Sequence, residues 1–424
     1  MVWKANLWVM STREAWTMSD QWGVWQWQAE LAKQLPMLSG AQVRVLAEWS
    51  LGLVLSRSCS LSAVSLWWAT AKEHRVGTVR QRLREWCYPV DRKRGQRREA
   101  VDVEPCFAAL LAWIVANWSG RRLALAMDAT TLGDRFVVLA ISVVYRGCAI
   151  PVAWSVVAAG KQHAWRPEWE RLLGLLHGAV PADWTVIVLA DRGLYARWLF
   201  TAIVSLGWHP FLRVNLGGTF RPATEARFRT FRSFAPATDQ RWAGAGTAYQ
   251  GATSRLHCTQ LAWHGAGYTD PWLILTDLPP DVADVAWYGL RAWIEQGFKA
   301  TKRGGWQWQR THMIHPDRAA RLWLAIAVAT LRVVNLGGAD DADADDGPLP
   351  AALDGLTLVT TRARPAPRPR LVGVFRRGWT RILVASCRRD HLPLAPFFPE
   401  PWPSLHLPQP LTDDPASALL RTAV

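Results

Sequence analysis

From about residue 25 to 118, apolar residues recur three and four apart. The segments WQAELAKQLP, GAQVRVLAEWSLGLVLS, SLSAVSLWWATA, TVRQRLREWCY and EPCFAALLAWIVANW all carry this helical period, so residues 1–119 are expected to form a helical amino-terminal module. After Gly120 the pattern shortens. RLALAMD is a brief apolar run ending in Asp128, and RFVVLAISVVY and CAIPVAWSVV are β-branched runs separated by Arg146 and Gly147, a hairpin signal. These runs predict three adjacent antiparallel strands. A helix from Pro167 to His177 follows, then TVIVLAD as a fourth strand ending in Asp191, a helix from Ala196 to Leu206, and HPFLRVN as a fifth strand.

Three strands, helix, strand, helix, strand is the element order of a ribonuclease-H-like α/β core, in which carboxylates at strand ends meet at one sheet edge. Its first part is assigned to residues 120–215. Residues 216–277 are rich in Gly, Thr, Ser and Arg; with candidate strands TFRSFA, TAYQGA, RLHCTQLAW and PWLILTD, they read as a β-rich insertion. A long helix starting near Val282 behind PPD, and a second from about Pro316 to Asn335, resume the core over residues 278–338. Over 339–424, the acidic run ADDADADDG and the Pro/Arg segment TRARPAPRPR predict a linker. One more basic helix is expected in LVGVFRRGWTRILVASCRR, ahead of an irregular Pro-rich tail.

Within the long helix, Tyr288, Arg291, Glu295 and Lys302 fall in an arc of roughly 60° at about 100° per residue. A phenol, a guanidinium, a carboxylate and an ammonium would share one face. That face is either a solvated stripe with an Arg291/Glu295 pair or a site that grips phosphate around a metal-binding carboxylate. Asp128 and Asp191 each end a buried apolar strand, where a charge is costly without a partner or a metal. Asp134, Asp183, Glu168 and Glu170 are nearby competitors. Three hard oxygen donors from Asp128, Asp191 and Glu295 would suit two Mg²⁺ ions about 4 Å apart, with Mn²⁺ able to substitute, and hence in-line phosphodiester transfer.

Charge narrows the partner. Lys and Arg number 49 against 34 Asp and Glu, a net charge of +15, with a pI near 10.2, which favours a polyanion and nucleic acid first. The apolar run from Leu322 to Leu331 is too short to span a bilayer and no secretory signal opens the sequence, so a cytosolic protein without a membrane partner is expected. The six cysteines are scattered singly, without CxxC pairs, and read as reduced structural thiols. Arg92, Lys93, Arg94, Arg97 and Arg98 surround Gly95 in a loop that is either solvated or in contact with phosphate. Tryptophan reaches 28 residues, most of them in apolar runs. After Lys302, RGGWQWQRTHM alternates Trp306 and Trp308 with Gln and adds Arg303 and Arg310, which suits either a DNA contact or packing of the two rings.

The Tyr-x2-Arg-x3-Glu-x6-Lys spacing, with MDAT around Asp128 and LADRG around Asp191, resembles the bacterial insertion-sequence transposases with an Asp-Asp-Glu triad. More narrowly, it resembles the IS-four family with its YREK signature, over roughly residues 75 to 335. The resemblance implies that Asp128, Asp191 and Glu295 are catalytic metal ligands and that Tyr288, Arg291 and Lys302 hold phosphates of the transposon end. It implies a β-rich insertion between the second Asp and the Glu, here 295 − 191 = 104 residues apart. Such insertions stabilise a DNA hairpin with an aromatic residue stacked on a flipped base, for which Trp242 and Trp263 are available. It further implies terminal inverted repeats recognised by the helical module, a homodimer on double-stranded DNA, and work at the bacterial nucleoid. The activity implied is cut-and-paste excision and joining of 3′ ends to target DNA. The alternatives are a metal-dependent nuclease on the same core, against which the YREK spacing counts, and a domesticated DNA-binding protein, against which the intact triad counts.

Overall fold

The computed structural model describes residues 24–94, 99–160, 165–345, 370–391 and 394–405. It is a mixed α/β protein with two compact units: the described parts of 1–212, 290–346 and 372–400 form one, and those of 213–289, 347–371 and 401–424 the other.

The first unit opens with helices over residues 24–34 (α1), Gly40–Ser56 (α2), Leu61–Ala71 (α3), Val76–Trp86 (α4) and Pro105–Val115 (α5). A capping box starts α2: the Ser39 hydroxyl accepts from the Gln42 N–H, and the Gln42 side chain accepts from the Ser39 N–H. Pro105 starts α5, where a missing N–H is harmless. In α4, Val79, Leu83 and Trp86 recur four and three apart and are the buried residues, which turns the arginines between them outward or sideways.

The sheet follows, with strands Arg122–Leu132 (β1), Phe136–Tyr145 (β2), Cys148–Ala158 (β3), Thr185–Ala190 (β4) and His209–Arg213 (β5) in the order β3-β2-β1-β4-β5. The first three are antiparallel neighbours, whereas β1–β4 and β4–β5 pair in parallel. Arg146 and Gly147 both take positive φ, 46° and 79°, the turn whose twist suits a two-residue hairpin. Helices Trp165–Leu175 (α6) and Arg197–Ser205 (α7) supply the crossovers. Nearly continuous burial of β2 and β3 explains why they read as unbroken apolar runs.

Three helices complete the unit: Ala292–Thr301 (α8), Pro316–Asp345 (α9) and Val374–Arg388 (α10). The long helix expected from Val282 is broken. A 3₁₀ segment, Val285–Arg291, precedes α8, so Tyr288 is not on the α-helix that carries Glu295. The acidic run is not a linker at its start, because α9 continues through it to Asp345. Arginines compensate it: Asp341 meets Arg146 at 2.6 Å and Arg377 at 3.8 Å, and Asp340 meets Arg381 at 2.9 Å. α9 and α10 cross with their backbones in contact, since a Cβ on Gly378 would lie 1.8 Å from the Val333 carbonyl oxygen.

Among the described residues of the tail, 391 and 394–405, there is no helix, and part of this segment is docked. Asn335 exchanges two hydrogen bonds with Ala395, and Phe397 exchanges backbone bonds with Asn117 and Ser119 while its ring stacks on Trp118. Among the described residues one helix, Pro316–Asp343, is long and apolar enough to cross a membrane, and 94% of its apolar window is buried inside the protein. No cysteine is in a disulfide; burial pushes the thiols of Cys87, Cys106 and Cys258 up to about 12, which keeps them inert.

The second unit is an antiparallel sheet of Thr219–Pro222 (β6), Arg229–Thr230 (β7), Arg241–Ala248 (β8), Leu256–Trp263 (β9) and Trp272–Thr276 (β10). TFRSFA, expected as a strand, is a 3₁₀ turn over Phe231–Phe234. A helical spacing lets Phe231 and Phe234 both join the Phe220 ring, with Phe234 also 4.3 Å from Trp242, which alternation along a strand would prevent.

Candidate active site

The parallel pairing of β1 with β4 ends at Ala126↔Leu189. Asp128 and Asp191 lie two residues further along each chain, so they stand level and on the same face of the sheet. β1 itself runs on past Asp128, which pairs across to Ala140 in β2. Asp128 is therefore inside a long strand, not at its end as its sequence suggested; it is β4 that stops and opens the edge. Beyond β4, one oxygen of Asp191 accepts the Gly193 N–H at 2.9 Å, and a Cβ on Gly193 would sit 3.2 Å from that oxygen. This turn holds the carboxylate back at the edge.

Glu295 arrives from above, in the first turn of α8, where the positive end of the helix dipole favours a carboxylate. The approach depends on Gly297, because a Cβ there would lie 2.8 Å from the Ala149 Cβ on β3. Gly297 thus lets α8 rest directly on the sheet, a positioning role that sequence reading missed.

One guanidinium ties the three carboxylates together. Arg291 donates through Nη2 to Asp128 at 2.8 Å and Asp191 at 3.2 Å, and through Nη1 to Glu295 at 2.8 Å. Side-chain exposure rises from 18% at Asp128 through 39% at Asp191 to 54% at Glu295, so the cluster grades from the sheet interior to solvent. Burial pushes the Asp128 carboxyl above its ordinary range, and the negative charges of Asp191 and Glu295 add to that, while Arg291 and the Ala129 N–H oppose it. Three carboxylates against one guanidinium leave a formal −2. As they stand, no three His, Cys, Asp or Glu side chains among the described residues are grouped closely enough to hold a metal ion. The oxygen donors of this cluster are the hard type that Mg²⁺ and Mn²⁺ prefer, and they face one cationic side chain.

Lys302 caps α8 and donates to the Thr130 hydroxyl at 2.7 Å. Thr130 follows Asp128 by two along β1, on the same face, which brings the ammonium to the same side of the sheet as the carboxylates. Burial lowers the Lys302 pKa from its ordinary value. The competing acids are accounted for elsewhere: Asp183 pairs with Arg121, Glu168 with Arg171, and Glu170 with Arg166, while Asp134 is exposed.

Other residues expected at the site diverge from expectation. Trp306 and Trp308 are fully buried. Trp306 donates to Thr330 and packs on Phe375, and Trp308 lies against Phe136 and Trp323, so packing of the two rings is what their alternation encodes and neither can stack on a base. Arg303 and Arg310 on the same loop are exposed. Tyr288 is buried against Trp272, with Arg213 over its ring, and does not present that ring to solvent. Trp242 and Trp263 are half-buried in aromatic clusters with Phe234 and Trp272 respectively. In the basic loop, Arg92 and Arg94 are exposed and Lys93 turns in to the Glu99 carbonyl; Arg97 and Arg98 lie outside the described residues.

An α/β sheet whose edge gathers an aspartate within β1, another just past β4 and a helix glutamate belongs, in this chain, to a defined group. Residues 121–332, half of the sequence, match the transposase DDE domain family, and the chain belongs to that family. It is a transposase by that membership. Among solved structures, the cryo-EM structure of the piggyBac transposase synaptic complex with hairpin DNA is similar over 72% of this chain and 76% of that one, at 12% identity and a TM-score of 0.32, too distant to bear on residue roles. No curated protein matches the sequence.

Proposed function

We propose that this protein is a cut-and-paste transposase of a bacterial insertion element, of the IS-four type with the YREK signature. It binds the element's terminal inverted repeats in double-stranded DNA, cleaves the flanking phosphodiesters, and joins the 3′ ends to target DNA. The observation that carries this reading is the Arg291 guanidinium bridging Asp128, Asp191 and Glu295 within the span matched to the family. The strand order β3-β2-β1-β4-β5 supports a ribonuclease-H-like core, with residues 216–277, which fall within the second unit, as its β-rich insertion.

Asp128, Asp191 and Glu295 are the residues that would hold two Mg²⁺ ions, which would activate the attacking oxygen and stabilise the leaving one. The chain's own part is electrostatic. The formal −2 of the cluster attracts divalent cations into a partly desolvated edge, and Asp128, least exposed of the three, is the acid that burial most disfavours as an unpaired anion. Arg291 then exchanges carboxylate oxygens for phosphate oxygens of the DNA end, to which its planar fork is equally suited. Lys302, oriented by Thr130, supplies a second fixed cation for the same strand. Exposed Arg303 and Arg310 extend that positive track, and the net charge of +15 draws the polyanion in. Pairing two ends requires a dimer in the DNA complex, working at the nucleoid of the cytoplasm.

The test uses labelled duplex ending in the inverted repeats that flank the gene, a target plasmid, and Mg²⁺ or Mn²⁺. Joined products are expected from the wild type and not from Asp128→Ala, Asp191→Ala or Glu295→Ala proteins that still fold and bind DNA. Cleavage without joining would make the protein a nuclease, and undiminished cleavage by Glu295→Ala would sink the triad.

A further inference from the structure

The helical segment before the sheet carries a second surface with a definite chemistry. α3 and α4 are joined by four residues, Lys72 to Arg75, with Glu73 at φ 51°, the tight left-handed bend of a helix-turn-helix corner. Both helices are fastened to α2 from below. Trp49 donates to the Leu83 carbonyl and Trp68 to the Glu48 carbonyl, while the buried Glu48 carboxylate accepts from Lys72 at 2.9 Å and from Arg82 at 2.8 and 3.1 Å. Lys72 and Arg82 are thereby committed to internal pairing. What remains on α4 is its outer face.

Opposite the buried Val79, Leu83 and Trp86 lies the stripe Gly77, Gln81 and Arg84, again four and three apart. Arg75 and Arg80 are exposed beside it, and Glu85 accepts the Arg94 N–H at 3.3 Å, which brings the Arg92 to Arg94 loop to the other end of the helix. Cations therefore flank a polar stripe at both ends. Gly77 has no internal reason to be glycine: its φ is ordinary, and a Cβ would meet nothing within 4 Å. Gly77 is the second residue of α4, and the open space beside it leaves room for close approach of a partner. Arg84 donates to the Gln81 amide oxygen at 2.8 Å, the Gln81 amide donates to Glu85 at 2.5 Å, and the Arg84 guanidinium lies over the Tyr88 ring. The two half-buried side chains thus form one hydrogen-bonded row along the helix that would have to exchange these partners for base edges. These are the side chains that read guanine and adenine edges in a groove.

We propose that α4 is the helix that enters the major groove of the DNA, with Gly77 at the point of closest approach, Gln81 and Arg84 against base edges, and Arg75, Arg80 and Arg94 on phosphates. Eleven residues make a helix roughly 16 Å long, a size the groove of about 12 Å width admits end-first or lengthwise. This inference rests on the transposase reading and adds to it the element that chooses the sequence.

The test selects binders from a randomised duplex library with the full-length protein in EDTA, so that no cleavage intervenes. Wild type is expected to enrich one consensus. Gln81→Ala and Arg84→Ala are expected to bind that consensus about tenfold or more weakly and to relax it at one or two positions, with nonspecific affinity nearly unchanged. Arg75→Gln should weaken all duplexes alike and lower the salt slope by about one. Gly77→Leu keeps the fold, with a thermal midpoint no lower than wild type, yet should lose specific binding about as severely as Arg84→Ala. Variants that retain the wild-type consensus and affinity would overturn the α4 assignment alone, and would leave that face to some other partner. A wild type that enriches no sequence would overturn the transposase reading as well.

Discussion

Two acidic clusters in the first unit, each held by arginine, differ in the ratio of charges. At the end of α9, Asp340 and Asp341 face Arg146, Arg377 and Arg381, and the closest pair, Arg146 with Asp341, is 7% and 4% exposed. Cations match or exceed anions there, and the Arg146 guanidinium also donates to the Phe398 carbonyl, so the cluster closes the hairpin, α9 and the tail onto one another. Beside α8 the ratio reverses: three carboxylates share one guanidinium and open toward solvent. A neutralised, desolvated pair is architecture; the anionic excess beside α8 is where the proposed function places its metal ions.

That contrast can be broken by substitution. The largest expected effect is on chemistry: Asp128→Ala or Glu295→Ala should lower strand transfer by about a thousandfold or more, some 4 kcal/mol of barrier, in the plasmid-joining assay, while denaturant unfolding moves by less than about 1 kcal/mol. Asp341→Ala should do the opposite. Leaving Arg146 buried without its main partner costs about 3 kcal/mol or more of stability by urea titration, with strand transfer per folded molecule little changed. If both clusters responded alike, the charge-ratio distinction would fail.

Gly297→Val probes how the α8 cluster is positioned. Overpacking against Ala149 should cost about 1–3 kcal/mol and, by lifting Glu295 from the sheet, reduce strand transfer further than the lost stability explains. Gly297→Ala, smaller by two carbons, should fall between. The smallest effect concerns metal: millimolar Mn²⁺ should raise the thermal midpoint of the DNA-free protein by an amount equivalent to about 1 kcal/mol, and more in Arg291→Gln, where no guanidinium competes for the carboxylates. Equal or smaller gains in Arg291→Gln would mean that Arg291 does not share the ion's position.

Periodicity made most of this fold legible. The apolar spacing of α1 to α5, the β-branched runs of β2 and β3, and the Arg146 and Gly147 turn each have a local cause, and all appear where that cause operates. Three things escaped, for nonlocal reasons. The acidic end of α9 looks like solvated chain until Arg146, 195 residues away, is seen to neutralise it. Trp306 and Trp308 alternate with glutamine like an exposed strand, but the loop turns both rings inward against α9 and β2. The break before α8 leaves no mark in the helical spacing, so the four-residue signature reads as one face when its first two members, Tyr288 and Arg291, lie in a 3₁₀ segment. In the candidate site, Asp128, Asp191, Glu295, Arg291 and Lys302 were all visible in the sequence. The bridging role of Arg291 and the packing role of Gly297 were not, because both depend on distances across the sheet.

Mn²⁺ titration of the DNA-bound protein, followed by electron paramagnetic resonance, bears most directly on the claim that the α8 cluster is the cation site. Saturable binding of about two ions per site is expected, lost in Asp128→Ala and retained in Asp340→Ala. Binding that survives Asp128→Ala with its stoichiometry and affinity intact would contradict the account.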